Sequence, residues 1–189
     1  MGRPKHMLPF GPETLLERVV RRMQSIVSPI IVVAAPGQEL PALPDDVLIG
    51  RDDVEGKGPL AGLAAGLSLM SSHGEAAFVS SCDAPFLQAQ FIERMLAELG
   101  EYDLAIPREA TYYHPLAAVY RTSLESSVRR LIAEDRLRPF FLIENCRARI
   151  VDVEDLRAVD PELSSLRNTN RPEEYEHALK DAGFKPPVE

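Results

Sequence analysis

Asp83 is the residue whose place in the sequence best suits metal chemistry. It follows residues 76–82, AAFVSSC, an apolar run that predicts a strand, and it precedes Ala84-Pro85. In an α/β sheet, ligands bind beyond the carboxyl ends of the strands. A carboxylate at that edge can hold Mg²⁺, which prefers oxygen ligands. An aspartate that forms a turn before proline has the same pattern, so position alone leaves both interpretations open.

A second segment with candidate chemistry spans residues 51–62, RDDVEGKGPLAG. Gly58, Gly62 and Gly66 recur every four residues, so they share one stripe of a helix that begins at Pro59. A ligand or a strand could approach the backbone closely along that stripe, and the amino-terminal end of a helix favours anions. Tight packing of the helix on a sheet explains the same glycines. Both interpretations stay open.

The basic and nucleophilic side chains give weaker indications. Lys5 lies beside Arg3 and His6 and could neutralise a phosphate, but a terminal lysine is usually just solvated. His114 enters a predicted strand without an evident catalytic partner, which favours a structural role. Cys82 is expected to behave as a small buried hydrophobe rather than as a thiolate.

Short apolar runs alternate with amphipathic segments along the chain. The predicted strands are residues 29–35, 47–49, 76–82, 103–106, 116–120 and 149–153. The predicted helices begin near residues 14, 58, 88, 122 and 172, and Thr14 and Glu17 have the spacing of a capping box. This alternation predicts an α/β fold with a mostly parallel sheet covered by helices on both faces. We expect one domain over residues 1–183 and a frayed tail over residues 184–189.

The composition argues against several classes of protein. Of the 189 residues, 45 % are hydrophobic and 26 % are charged, as in ordinary globular proteins. The 21 Lys and Arg residues against 29 Asp and Glu residues give a net charge of −8, which disfavours general binding to nucleic acid or to anionic membranes. The two cysteines are too few for a disulfide scaffold. Without a signal-peptide pattern or a membrane-spanning run, we expect a cytoplasmic protein.

Taken together, the motifs resemble those of the molybdenum cofactor guanylyltransferases, the molybdopterin-guanine dinucleotide biosynthesis protein A family, within the Rossmann-like nucleotidyltransferases. The matching pieces are MGRPK at residues 1–5, LPFG at 8–11, Asp52 with GPLAG at 58–62, CDAP at 82–85, HPL at 114–116 and NTNRPEE at 168–174. Their order and spacing are similar to the family's over nearly the whole chain. The resemblance implies a three-layer Rossmann-like nucleotidyltransferase fold.

The resemblance also implies an activity, which is the transfer of GMP from GTP to the phosphate of molybdopterin, with Mg²⁺ as cofactor and release of pyrophosphate. Lys5 would contact the GTP phosphates, and Asp83 would bind Mg²⁺ and the nucleotide. Asp52, Gly58 and Gly62 would lie at the guanine and the ribose.

The second substrate is implied less directly. Asn168 and Asn170 would lie near molybdopterin or the metal ion, but Arg171 stands where the family usually has threonine. The implied partners are GTP and molybdopterin as substrates, together with proteins that deliver molybdopterin or mature molybdoenzymes.

One family feature is missing from the sequence. The family's chain has a strand and a glycine-rich loop ahead of the segment that matches Met1, and backbone N–H groups of such a loop cradle the triphosphate. That strand would lie between the predicted strands at residues 29–35 and 76–82, so its absence would leave their edges unpaired and the chain poorly soluble. Without the loop, we expect a folded chain to bind GTP only weakly. Two alternatives stay open. One is a related nucleotidyltransferase that uses CTP or a sugar or polyol phosphate acceptor, and the other is a non-catalytic nucleotide-binding protein.

Overall fold

The computed structural model describes residues 4–52 and 58–185. The helices in these ranges are α1 Leu15–Gln24, α2 Pro59–Met70, α3 Ala89–Leu99, α4 Glu125–Ala133, α5 Phe140–Ile143, α6 Val153–Leu156 and α7 Pro172–Asp181. The five predicted helices correspond to α1, α2, α3, α4 and α7. No helix within the described ranges is long and apolar enough to cross a membrane.

Helix α1 begins with the capping box that the sequence predicts. Thr14 Oγ1 accepts a hydrogen bond from the backbone N–H of Glu17 at 3.2 Å, and Glu17 Oε2 accepts one from the N–H of Thr14 at 2.6 Å. These bonds satisfy two backbone donors that would otherwise have no partner near the start of the helix.

We expect the substitution Thr14→Ala to lower the free energy of unfolding by about 1 kcal/mol, because it removes the oxygen that caps α1. Thr14→Ser keeps that oxygen and is the matched control. Chemical denaturation of the three proteins measures the difference. Equal losses in both variants would show that the threonine methyl group, and not the cap, supplies the stability.

The strands form three sheets within the described ranges. They are β1 Pro9–Phe10, β2 Glu13–Thr14, β3 Ile31–Ala34, β4 Leu48–Arg51, β5 Ala76–Ser80, β6 Leu104–Glu109, β7 Tyr112–Tyr113, β8 Ala117–Arg121 and β9 Ala148–Asp152. Strands β1 and β2 form a short antiparallel ladder, and β3 pairs with β4 in parallel. The remaining five strands form one sheet, in which β8 lies between β5 and β6, while β7 and β9 both pair with β6.

The expected α/β character is confirmed, but the sheet is more mixed than the mostly parallel one that the sequence predicted. Strand β8 runs antiparallel to both β5 and β6, whereas the pairs β3–β4 and β6–β9 are parallel. The chain passes from β6 through β7 to β8 without a crossover helix, and a short connection joins antiparallel strands. A buried apolar run has the same composition in either direction, so the pattern could not reveal this reversal.

Helices α1 and α2 cover opposite faces of β3. Val32 packs with Leu16 and Val20 of α1, whereas a Cβ atom added to Gly66 of α2 would lie 3.4 Å from Cγ2 of Val33. Successive residues of a strand face opposite sides, so one helix lies on each side of the strand.

The same two helices also cover β5. Phe78 belongs to one buried cluster with Val19 of α1, and its neighbours Ala77 and Val79 pack on the cluster that contains Leu60 of α2. Helix α2 therefore packs on both β3 and β5, and on the other side α1 shares one buried cluster with each of these strands, which gives the three layers that the resemblance implied.

Strands β3 and β5 nevertheless belong to separate sheets. Among the described residues, β3 pairs with β4 and β5 pairs with β8. The family's first strand was expected to lie between these two strands, and its position there stays a prediction.

Helix α7 packs on the amino-terminal part of the described chain. Its Tyr175 hydroxyl donates a hydrogen bond to the carbonyl oxygen of Pro9, and both Tyr175 and Phe10 are buried in one cluster. Phe184 packs edge-on against Phe10 with the ring centroids 5.6 Å apart, so packing extends into the predicted tail, whose residues 186–189 lie outside the described ranges. The segment before α7 lies next to Lys5, whose Nζ donates a hydrogen bond to Oδ1 of Asn170.

Candidate active site

Asp83 lies just beyond the carboxyl end of β5, as its position in the sequence predicts. The residue is only 6 % exposed. Its backbone carbonyl accepts a hydrogen bond from the N–H of Thr169 at 2.9 Å, and its Oδ2 atom accepts one from Nζ of Lys5 at 3.0 Å. The carboxylate is therefore buried, fixed through its backbone, and paired with one cation.

Lys5 joins this carboxylate across 78 positions of the sequence. Its ammonium also donates to Oδ1 of Asn170 at 2.7 Å, so Nζ lies between a carboxylate and an amide oxygen. The short 3₁₀ turn Lys5–Met7 that carries it is anchored by buried His6, whose Nε2 lies 2.8 Å from the carbonyl oxygen of Glu39. The interpretation of Lys5 as a merely solvated lysine is therefore wrong.

The segment before α7 completes the group. The carboxylate of Glu174 accepts hydrogen bonds from the N–H groups of Asn170 at 2.8 Å and of Arg171 at 3.0 Å. Asn168 Oδ1 accepts a hydrogen bond from Oγ of Ser81, at the end of β5, at 3.3 Å. Asn168 and Asn170 are thus both held at the carboxyl end of β5, and both are exposed to solvent.

Asp52, Gly58 and Gly62 lie beside the other sheet. The N–H of Asp52 donates to the carbonyl oxygen of Ala34 at 3.1 Å, at the carboxyl ends of β3 and β4. Gly58 precedes the first turn of α2 with a φ of 64°, which favours glycine. Residues 53–57 of the candidate segment lie outside the described ranges.

The glycines of α2 divide between the two interpretations that the sequence left open. A Cβ atom on Gly66 would touch Val33, which indicates close packing. A Cβ atom on Gly62 or Gly58 would meet no described residue within 4 Å. Packing among the described residues therefore does not explain Gly58 and Gly62, and no described residue fills the space beside the Cβ position of either glycine.

Cys82 and His114 are not suited to act as a nucleophile and a general acid. Burial, together with the neighbouring carboxylate of Asp83, raises the pKa of the Cys82 thiol to about 11. Burial lowers the pKa of His114, although the carboxylate of Glu109 opposes that shift. At neutral pH the thiol is protonated and the imidazole is uncharged, as expected for structural residues.

We expect Cys82 to react with iodoacetamide at pH 8 about a hundredfold more slowly than a free cysteine, because only the thiolate attacks and a higher pKa leaves less of it. Cys146 should also react slowly, since burial raises its pKa to about 11 as well. Mass spectrometry of the labelled protein measures both rates, and the urea-unfolded chain is the control. Labelling of the native chain as fast as that control would contradict the assignment.

The donor atoms around Asp83 fit a divalent ion such as Mg²⁺. Within the described ranges, no three His, Cys, Asp or Glu side chains come together as a metal centre. Mg²⁺ does not require one, because it keeps several waters and binds through one or two carboxylates and the substrate's phosphates. Asp83 and Asn170 offer a carboxylate and an amide oxygen that already share one cation.

Two residues that hold this site together, Thr169 and Glu174, lie in the matched segment at residues 168–174, but sequence reasoning gave them no role. Both make hydrogen bonds to backbone groups. The N–H of Thr169 donates to the carbonyl oxygen of Asp83, and the carboxylate of Glu174 accepts from the N–H groups of Asn170 and Arg171 just before α7. The signal for Glu174 was present, because it stands three residues after Arg171, the position that caps a helix start. The contact of Thr169 has no comparable signal.

Comparisons with known proteins find relatives in both sequence and structure. A protein of Mycobacterium tuberculosis named "Probable molybdenum cofactor guanylyltransferase" is 36 % identical over 176 residues, which cover 90 % of this chain and 82 % of that protein. The crystal structure of molybdopterin-guanine dinucleotide biosynthesis protein A from Archaeoglobus fulgidus superposes with a TM-score of 0.78 at 23 % identity, covering 96 % of this chain and 92 % of the other.

A further M. tuberculosis protein, solved in complex with manganese, superposes with a TM-score of 0.64 at 15 % identity and covers 95 % of this chain and 93 % of its own. At such identities the structures establish a shared fold. Residues 1–149 match the model of the MobA-like NTP transferase domain. The resemblance drawn from the motifs is therefore confirmed, and the chain belongs to the MobA-like NTP transferase family.

Proposed function

We propose that this chain transfers GMP from GTP to the phosphate of molybdopterin and so forms a guanine dinucleotide cofactor. The observation that carries the proposal is the meeting of Lys5, Asp83 and Asn170 at the carboxyl end of β5. These are residues that the motif resemblance links to the phosphates, the metal ion and the second substrate. Family membership and the name of the M. tuberculosis relative support the same reaction.

In the proposed reaction, an oxygen of the molybdopterin phosphate attacks the α-phosphorus of GTP. A new P–O bond forms while the bond from the α-phosphorus to the oxygen that bridges to the β-phosphate breaks, and pyrophosphate leaves with that electron pair. Such a transfer depends on positioning and charge neutralisation more than on a protein nucleophile. The protonated state of Cys82 is consistent with direct transfer.

Two side chains supply the charges that the phosphates need. Lys5 has a long, flexible side chain that is 36 % exposed, so its ammonium can reach a phosphate and neutralise it. Asp83 would hold a divalent ion, which we propose to be Mg²⁺. That ion would polarise the α-phosphate and offset the charge that develops on it.

The nucleoside would bind at the other sheet. We place guanine and ribose near Asp52 and along the first turn of α2, because Gly58 and Gly62 leave that face open among the described residues. The amino-terminal end of a helix of this length also attracts phosphate charge. Asn168 and Asn170 would then lie near molybdopterin or the metal ion, on the exposed side of Asp83.

The main alternative is a nucleotidyltransferase with the same fold and chemistry but another substrate. Either CTP would replace GTP, or a sugar or polyol phosphate would replace molybdopterin as the acceptor. The choice between guanine and cytosine depends on the few groups that contact the edge of the base. We place those groups near Asp52 and the first turn of α2, where the nucleoside would bind. A non-catalytic nucleotide-binding protein would bind GTP at the same place without releasing pyrophosphate.

A direct assay separates these functions. The protein is incubated with Mg²⁺, molybdopterin and either GTP or CTP, and pyrophosphate and the dinucleotide product are measured. We expect product from GTP, and the reaction without molybdopterin controls for simple hydrolysis. Product from CTP alone would establish the cytidylyl alternative, and GTP binding without turnover would establish the binding protein.

A further inference from the structure

The Lys5 ammonium lies in a setting that resembles a metal site. Its Nζ is 3.0 Å from Oδ2 of Asp83 and 2.7 Å from Oδ1 of Asn170. The Asp83 side chain is only 9 % exposed, whereas that of Lys5 is 36 % exposed. Carboxylate and amide oxygens are the ligands of hard divalent ions, so the oxygens that hold Lys5 are also those that would hold such an ion.

The two cations compete for the charge of one carboxylate. A divalent ion binds at about 2.0–2.6 Å from its oxygen ligands, and Oδ2 of Asp83 and Oδ1 of Asn170 both accept protons from the Lys5 ammonium. An ion held on the same carboxylate would lie within a few ångströms of Nζ, and the two positive charges would repel each other strongly because water screens a buried site poorly. Binding of the ion at Asp83 is therefore favoured when the ammonium leaves.

The surrounding contacts indicate which part moves. The backbone carbonyl of Asp83 is tied to the N–H of Thr169, and Glu174 holds the N–H of Asn170. The turn that carries Lys5 is anchored by buried His6. These bonds fix the backbones of all three residues, so the exchange needs only side-chain motion, and Lys5 has the longest and most flexible of the three side chains.

We infer that Lys5 acts as an exchangeable cation, which occupies the divalent-ion position at Asp83 and Asn170 until substrate binds and then moves to the phosphates of the incoming nucleotide. This inference rests on the role of Asp83 in the proposed function. It follows that Lys5 suppresses metal binding to the nucleotide-free chain. It also follows that metal and GTP favour each other's binding, because the nucleotide gives the displaced ammonium a new partner.

The test measures Mn²⁺ binding to the nucleotide-free protein by electron paramagnetic resonance, without any turnover. We expect Lys5→Met to bind Mn²⁺ about tenfold more tightly than the unmodified chain, because the competing charge is gone. Lys5→Arg keeps the charge and should bind about as weakly as the unmodified chain. Lys180→Met, which removes an exposed lysine of α7, controls for the change in net charge. Lys5→Gln provides a second uncharged variant should Lys5→Met fail to fold.

A second measurement gives the coupling between metal binding and nucleotide binding. The Mn²⁺ affinity is determined with and without a non-hydrolysable GTP analogue, and the enhancement by the analogue should shrink about tenfold in Lys5→Met. Unchanged or weaker nucleotide-free Mn²⁺ binding by both uncharged variants would overturn the inference, as would the absence of Mn²⁺ binding in all of the proteins. Tighter Mn²⁺ binding by Lys5→Met, together with no GMP transfer by the unmodified chain, would support the exchange while contradicting the proposed function.

Discussion

Replacing Asp83 with asparagine is expected to lower the rate of GMP transfer by about a thousandfold while the fold is retained. The substitution removes the negative charge that would hold the divalent ion, and such an ion contributes several kcal/mol of charge stabilisation, where each 1.36 kcal/mol is worth a factor of ten in rate. Asparagine has nearly the same shape, and its amide oxygen can still accept the hydrogen bond from Nζ of Lys5. The neighbouring bond from Thr169 reaches the backbone carbonyl and is unaffected.

Three measurements make this prediction specific. Pyrophosphate release gives the rate, Mn²⁺ binding shows whether the metal site is lost, and the melting temperature shows whether the chain still folds. Asp155→Asn makes the same chemical change at an exposed position of α6 and should leave all three values unchanged. Normal turnover by Asp83→Asn would show that Asp83 does not hold the metal ion. A large fall in its melting temperature would mean that the carboxylate serves the fold instead.

Local features of the fold were predictable because their causes lie within a few residues. The capping box of Thr14 and Glu17 depends on a spacing of three residues, and the structure contains both of its hydrogen bonds. The position of Asp83 after a strand follows from the apolar run before it. In each case the backbone groups that need partners are close in sequence to the side chains that satisfy them.

Contacts between distant segments could not be predicted in the same way. Lys5 and Asp83 are 78 positions apart, and Lys5 and Asn170 are 165 apart. Tertiary packing brings these three residues together, including the packing of α7 on the amino-terminal part of the described chain and the bond between Thr169 and Asp83. The resemblance to a known family linked them to one reaction, but it did not include the direct ion pair between Lys5 and Asp83. The antiparallel direction of β8 was equally hidden, because an apolar run does not encode its direction.

The second prediction of large effect concerns Gly62. We expect Gly62→Leu to weaken GTP binding by tenfold or more without loss of stability. A Cβ atom at this position meets no described residue within 4 Å, and leucine is a better helix former than glycine by close to 1 kcal/mol. The free energy of unfolding should therefore stay constant or rise. A bulky side chain on this face of α2 would, however, occupy the space that we assign to the nucleoside.

Gly66→Leu is the matched control, because it places the same side chain one turn further along the same helix. Its Cβ atom would lie 3.4 Å from Cγ2 of Val33, so the rest of the leucine side chain must displace the packing between α2 and β3. Overpacking of this kind costs about 1–3 kcal/mol. We therefore expect Gly66→Leu to lower the melting temperature while the folded protein keeps its GTP affinity. Isothermal titration with GTP and thermal melts of the two variants should give opposite patterns. If Gly62→Leu also lowers the melting temperature and leaves the affinity unchanged, both glycines serve packing, and the nucleoside binds elsewhere.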